Sequence, residues 1–166
     1  MFVPFDDLPP HARVWVYQAD EPFGKEGEDE VNKTLYNFCD QWAVHGQPMR
    51  TSFTVAHNRF IILAVDERYY GASGCSIDSS VHALKALETR LNNSLFNRTK
   101  VAFFLNGQVK LFAPSELKEA FLHGTLKAES LAFNNLVANK GEWSINWLTE
   151  AKNTWLVRYL PKSAVA

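Results

Sequence analysis

With 166 residues, 46% of them hydrophobic, the chain has material for one domain, residues 1–166, whose core needs neither disulfides nor metal. A formal net charge of −1 excludes a general electrostatic pull on nucleic acid or anionic membrane. The two cysteines, Cys39 and Cys75, form no C-x-x-C pair, which fits a reducing cytoplasm better than a disulfide-stapled secreted fold.

The start, MFVPFDDLPPHARV, carries acids and prolines where a signal peptide needs a basic region and an apolar run. No window approaches the roughly 18 apolar residues of a membrane span. Arg13-Val14-Trp15-Val16-Tyr17 is β-branched and aromatic and predicts a strand. An acidic loop, residues 20–30, leads into a helix over 28–44, where Val31, Leu35, Phe38 and Trp42 make one stripe and His45-Gly46 marks the exit. Residues 50–57 and 59–66 form a hairpin around His57-Asn58-Arg59, with Asn58 suited to left-handed backbone. The second strand, FIILAVDE, is apolar on both faces and belongs in the middle of a sheet. After a turn-rich loop, 67–76, Ile77, Val81, Leu84, Leu87 and Leu91 mark a second helix. Val101–Leu105 and Gln108–Phe112 flank Asn106-Gly107, a strong two-residue hairpin signal. Ser115 is placed to cap the helix SELKEAFL, and Gly124 to stop it. Residues 127–138 and 142–156 predict two further helices with Trp143, Trp147 and Leu148 turned inward, although Asn134-Asn135 is poor helix material.

This order predicts an α+β fold: a ferredoxin-like βαββαβ core with an extra hairpin strand, and C-terminal helices covering the second sheet face. Val14–Tyr17 and Phe60–Val65 are then parallel central neighbours, with Trp15 and Tyr17 on that second face. An RNase H-like arrangement would want an early three-strand meander, which the helix at 28–44 interrupts.

Two stretches carry chemistry. IILAVDE, residues 61–67, has the form of a Walker B strand, in which Asp66 would hold Mg²⁺ and Glu67 would polarise water. That chemistry also needs G-x-x-x-x-G-K-[ST], and the sequence has only Gly24-Lys25 inside an acidic run. GASGCSIDSS, residues 71–80, places glycines, hydroxyls and a thiol at a helix start. As a turn and cap it uses Gly71 and Gly74 for positive φ, Ser76 or Asp78 as cap, and Cys75 as a small packing residue. As a site it offers Cys75 as the candidate catalytic thiol, and Asp66, Glu67, Ser73, Gly74 and Ser76 as ligand-binding candidates at the ends of adjacent strands. The charges of Asp66, Glu67 and Asp78 disfavour a multiply charged phosphate and favour a neutral polar ligand or a metal-bridged anion. His11, His45 and His57 fall at the far end of the predicted sheet, His82 lies seven residues along the same helix and reaches poorly, and His123 has no predicted place, so a Cys–His pair is not indicated. No metal site and no cofactor are indicated.

RVWVYQADEPF, WAVHGQP, HNRFIILAVDE, GASGCSIDSSVHALK and FNNLVANKGEW together resemble a family of small bacterial proteins of about this length whose members carry the label "ABC transporter ATPase". The label implies nucleotide hydrolysis coupled to transport. The chain lacks the Walker A loop and an LSGGQ-type signature, and is too short for an ATPase domain with its helical insert. The resemblance therefore carries over no catalytic residue.

The expectation is a cytoplasmic binding or interaction module, not a genuine ABC ATPase, that takes a small polar ligand or a protein partner, a second copy of itself included. A small enzyme using Cys75 is the alternative. RNA binding by a ferredoxin-like sheet comes last, because the aromatic RNP pattern is missing; no nucleic acid or membrane partner is expected.

Overall fold

The computed structural model describes residues 1–162. After a 3₁₀ turn at Phe5–Asp7, its elements are β1 (Arg13–Gln18), α1 (Gly24–Gln41), β2 (Ala43–Val44), β3 (Gln47–Pro48), β4 (Arg50–Ala56), β5 (Phe60–Asp66), α2 (Gly74–Leu91), β6 (Val101–Leu105), β7 (Gln108–Phe112), α3 (Pro114–Leu122), β8 (Leu131–Phe133), α4 (Lys140–Asn146) and β9 (Leu148–Glu150). Two 3₁₀ turns follow, Ala151–Asn153 and Trp155–Tyr159. The fold is α+β. Among the described residues no helix is long and apolar enough to cross a membrane. The chain divides into two compact units, residues 1–97 with 135–144, and residues 98–134 with 145–166.

In the first unit β5 is the middle strand of an antiparallel sheet ordered β1-β5-β4. All 7 of its residues are buried, as a run apolar on both faces requires. Trp15 lies opposite Leu63 and Tyr17 opposite Ile61, so these residues share one face of the sheet. That face packs under α1 and α2 through Val31, Leu35, Leu84 and Leu87. Each such leucine contributes about 1.5–3 kcal/mol by leaving water.

Several expectations are corrected. β1 and β5 are neighbours, but antiparallel rather than parallel. β4 and β5 are joined by the tight turn at His57 and Asn58, both at positive φ, so they must run oppositely. Because β4 runs the same way as β1, the strand between them opposes both. Trp15 and Tyr17 consequently face the two helices and not the second face. The outer edge of β1, where a ferredoxin-like sheet would place its fourth strand, is taken by residues 138–141. Val14 N donates to Ala138 O at 3.0 Å, and Lys140 N to Ala12 O at 2.9 Å. β6 belongs to a separate sheet, so the ferredoxin-like order stops after α2. His45-Gly46 does not end α1, which closes at Gln41; both residues have positive φ and form the turn between β2 and β3. On α2 the buried stripe begins with Ser76 and Ser80 rather than Ile77 and Val81. The bulk there comes from Trp42, whose indole N–H donates to Ser76 O at 2.8 Å.

The second unit is a four-stranded antiparallel sheet ordered β7-β6-β8-β9. The β6–β7 hairpin turns on Asn106 and Gly107 at φ 50° and 77°, as its sequence predicts. Phe103, Leu117, Phe121, Leu126 and Leu156 form the core. α3 has its cap position two residues earlier than expected: Ala113 precedes Pro114, which takes the first helical position, and Glu116 Oε1 accepts from Ala113 N at 3.1 Å, so Ser115 is not the cap. Gly124, at φ 77°, follows its end. The helix predicted over 127–138 is absent: Leu131–Phe133 is strand β8. Asn134 N donates to Trp147 O at 2.6 Å, holding the asparagine pair outside any helix. The helix predicted over 142–156 shrinks to α4, so long C-terminal helices are not available to cover a sheet face. Trp147 is buried against Phe133, their rings 4.8 Å apart. Trp143 and Leu148 are half-buried, and Trp143 meets Phe5 edge-on at 5.5 Å within the first unit.

Candidate functional site

Asp66 ends β5, directly opposite Arg50 on β4. Its side chain is fully buried, 0% exposed, and is met by two arginines and a histidine from three segments. Arg68 donates from Nε to Oδ1 at 2.9 Å and from Nη2 to Oδ2 at 2.6 Å, and its backbone N–H reaches Oδ1 at 3.2 Å. Arg50 Nη1 stands 3.5 Å from Oδ2, and His11 Nε2 3.9 Å from Oδ1. The Arg68 hydrogen bonds hold the Asp66 carboxyl below its ordinary value, overcoming burial, which acts the other way.

Glu67 points to the opposite face of the sheet, as alternation requires. Its Oε1 accepts from Ala72 N at 3.0 Å and lies 3.6 Å from Arg13 Nη1. Glu67 thus closes the loop 67–72, on which Tyr69 and Tyr70 are exposed. Arg68 lies over the Tyr69 ring and Arg13 over that of Trp15, at 5.7 Å and 4.7 Å.

At the start of α2 the cap is Ser73, whose Oγ accepts from Ser76 N at 3.2 Å. Neither Ser76 nor Asp78 caps, and Asp78 lies beyond the first turn. Ser76 is buried, its Oγ donating to Ser73 O at 2.9 Å. Gly71 and Gly74 do not take positive φ, which overturns the conformational reason given for them. Cys75 is exposed on the second helical residue, contrary to its reading as a packing residue. Cys39 is fully buried on α1, and burial pushes its thiol up to about 12.

The predicted site residues are therefore only partly brought together. Ser73, Gly74 and Ser76 build a helix start, and Ser76 is occupied with internal bonds. Asp66 and Glu67 are acceptors for arginines and for the loop backbone. Compared with family models, with curated proteins and with solved structures, the chain matches none. What the arrangement can do must be read from its own geometry.

Sequence reasoning placed His11 at the wrong end, because antiparallel pairing puts the start of β1 beside the end of β5. It missed Arg13, Arg50 and Arg68 altogether. The hairpin turn sets Ala56 opposite Phe60, and counting outward from it brings Arg50 to Asp66, a signal present in the sequence. Three guanidiniums face two carboxylates here, so the negative field used against an anionic ligand is cancelled at this end. Among the described residues, no group of three or more His, Cys, Asp or Glu could hold a metal ion. An open groove of about 560 Å³ lies elsewhere, lined by Glu21, Phe23, Glu26, Glu30, Arg90 and Leu91, and no predicted site residue lines it.

Proposed function

We propose that the chain is a cytoplasmic binding or interaction module and not a nucleotide hydrolase. The observation that carries this is the state of Asp66. A Walker B carboxylate must present lone pairs to Mg²⁺, whereas those of Asp66 are taken by Arg68 and Arg50 inside the protein. Glu67, held by Ala72 N and Arg13, is not set to polarise a water for that purpose. The likeness to proteins labelled "ABC transporter ATPase" enters this reading as shared sequence only. The exposed rim of the same end, with His11, Arg13, Arg68 and Tyr69, supports recognition of an acidic or polar partner. The test is ATP turnover with Mg²⁺, alongside native mass spectrometry of the chain purified at low salt. The expected result is no turnover above background and a retained small molecule or protein. Turnover abolished by Asp66→Asn would overturn the reading, and a bare chain in every preparation would count against it.

The second reading is a small enzyme using Cys75, favoured by the exposure of that thiol at the start of the 18-residue helix α2. Its test is the rate of alkylation against pH in a Cys39→Ser background. A midpoint well below the ordinary thiol value of about 8.5 supports an activated cysteine; slow reaction until unfolding removes it.

A further inference from the structure

The whole-chain charge of −1 averages over an uneven division. The second unit, residues 98–134 with 145–166, holds 8 Lys and Arg against 4 Glu, a net charge of +4. The first unit holds the other 9 Lys and Arg against 14 Asp and Glu, a net charge of −5. In the second unit Lys110, Lys118, Lys127, Arg158 and Lys162 are exposed and make no ion pair among the described residues. An excess of this size on one unit attracts polyanions, which the whole-chain sum conceals.

The last turn of this unit adds aromatic surface. Residues 151–162, AKNTWLVRYLPK, contain 3 cations and no acid. Leu156 and Leu160 are buried in the unit's core and anchor the 3₁₀ turn Trp155–Tyr159. Thr154 caps that turn, its Oγ1 accepting from Leu156 N at 3.1 Å. Trp155, by contrast, is 55% exposed, and Arg158 is exposed with it. The rings of Trp155 and Tyr159 meet edge-on at 5.9 Å, and the Arg158 guanidinium lies 5.9 Å and 5.2 Å from their centres. Core packing does not account for a tryptophan left half in water, since most of the gain from burying so large a ring is forgone. Two rings and a guanidinium, gathered on a pinned backbone and open to water, make a stacking platform in a cationic unit.

We propose that the Trp155–Arg158–Tyr159 cluster binds single-stranded nucleic acid, with bases stacked on the rings and phosphates held by Arg158 and the unpaired lysines of the second unit. The combination of groups selects this class. An acidic protein segment would satisfy the cations and leave the rings unused. A duplex would offer phosphates but keep its bases stacked on one another, away from the rings. The proposal uses no residue of the Asp66 end and is independent of the reading given there.

The experiment is fluorescence anisotropy of the whole chain with a labelled single strand of about 16 thymidylates, the upper end of what one small domain covers. A duplex of the same length and a polyglutamate peptide are the comparisons. The single strand is expected to bind more tightly than either. Neutralising about three phosphates predicts a loss of about 20-fold in affinity between about 50 mM and about 200 mM salt. Trp155→Ala is expected to weaken binding by about 10-fold with the salt slope unchanged. Arg158→Gln is expected to weaken it and to lower the slope by about 0.7. No binding at the lower salt, a duplex or polyglutamate bound as tightly as the single strand, or full affinity in Trp155→Ala overturns the proposal. Urea unfolding of Trp155→Ala is the control on folding. If its midpoint falls, the exposed Arg158→Gln decides, and an unchanged affinity and slope in that variant overturn the proposal.

Discussion

Replacing Asp66 by Asn tests the network at the end of β5 directly. The substitution keeps the size of the side chain and one acceptor for Arg68 N, but removes the charge addressed by Arg68 Nε and Nη2 and by Arg50 Nη1. Breaking a fully buried ion pair costs about 3–5 kcal/mol. Here Arg68 and Arg50 are 44% and 30% exposed, so water takes up part of their solvation. A loss of about 2 kcal/mol at pH 7 is expected, which for a chain of this length lowers Tm by about 4–8 °C. The carboxyl of Asp66 is held below its ordinary value of 3.8 in the folded state. Its contribution is therefore complete above the unfolded value, about 3.9, and is lost as pH falls through the folded one. The gap between wild type and Asp66→Asn stays constant from about pH 8 to pH 5 and narrows below about pH 4. Urea titrations followed by circular dichroism at pH 7, 5 and 3 measure it. A gap under about 0.5 kcal/mol at pH 7, or one no narrower at pH 3, refutes the reasoning.

Further predictions concern the core, the turns and the thiols. In the native protein a thiol reagent modifies Cys75 alone, and Cys39 reacts only after unfolding, since it is buried with its thiol pushed up to about 12; two reactive thiols in the folded state contradict this. Trp42→Phe removes the buried donor to Ser76 O and costs about 1–2 kcal/mol in urea unfolding. Leu35→Ala leaves a cavity between α1 and the sheet and costs about 2–4 kcal/mol. Ser73→Ala removes the cap of α2 and costs about 1 kcal/mol, whereas Asp78→Ala, beyond the first turn, is neutral within about 0.5 kcal/mol. Gly107→Ala strains a residue at φ 77° and lowers stability by about 1 kcal/mol.

Local signals were read well where one residue or one period decides the outcome. Asn106-Gly107 fixes its turn because both positions need positive φ. The run FIILAVD must lie between two covers because neither face tolerates water, and the strand is buried throughout. Failures occurred where a partner distant in sequence decides. The stretch 127–138 has helix-like spacing, yet Leu131–Phe133 pairs with β6 and β9, and Asn134 bonds to Trp147. The stripe on α2 shifted to Ser76 and Ser80 because an indole from Trp42 fills that space. At the candidate site, Asp66 and Glu67 were found by their place after an apolar run. Their chemistry was misjudged because Arg13 and Arg50 come from other strands and arrive only through pairing.

The sequence by itself determined the α+β class, the presence of β1, α1, β4, β5 and α2 but not of β2 and β3, and two of the turns. It did so because hydrophobic period and backbone-permissive residues act over a few positions. Only the tertiary structure decided that β1 and β5 run oppositely, which carries His11 to Asp66. It alone decided that arginines neutralise the acids there. Those outcomes depend on which residues meet across the sheet, and a charge has no fixed meaning until its neighbours and its exposure to water are set.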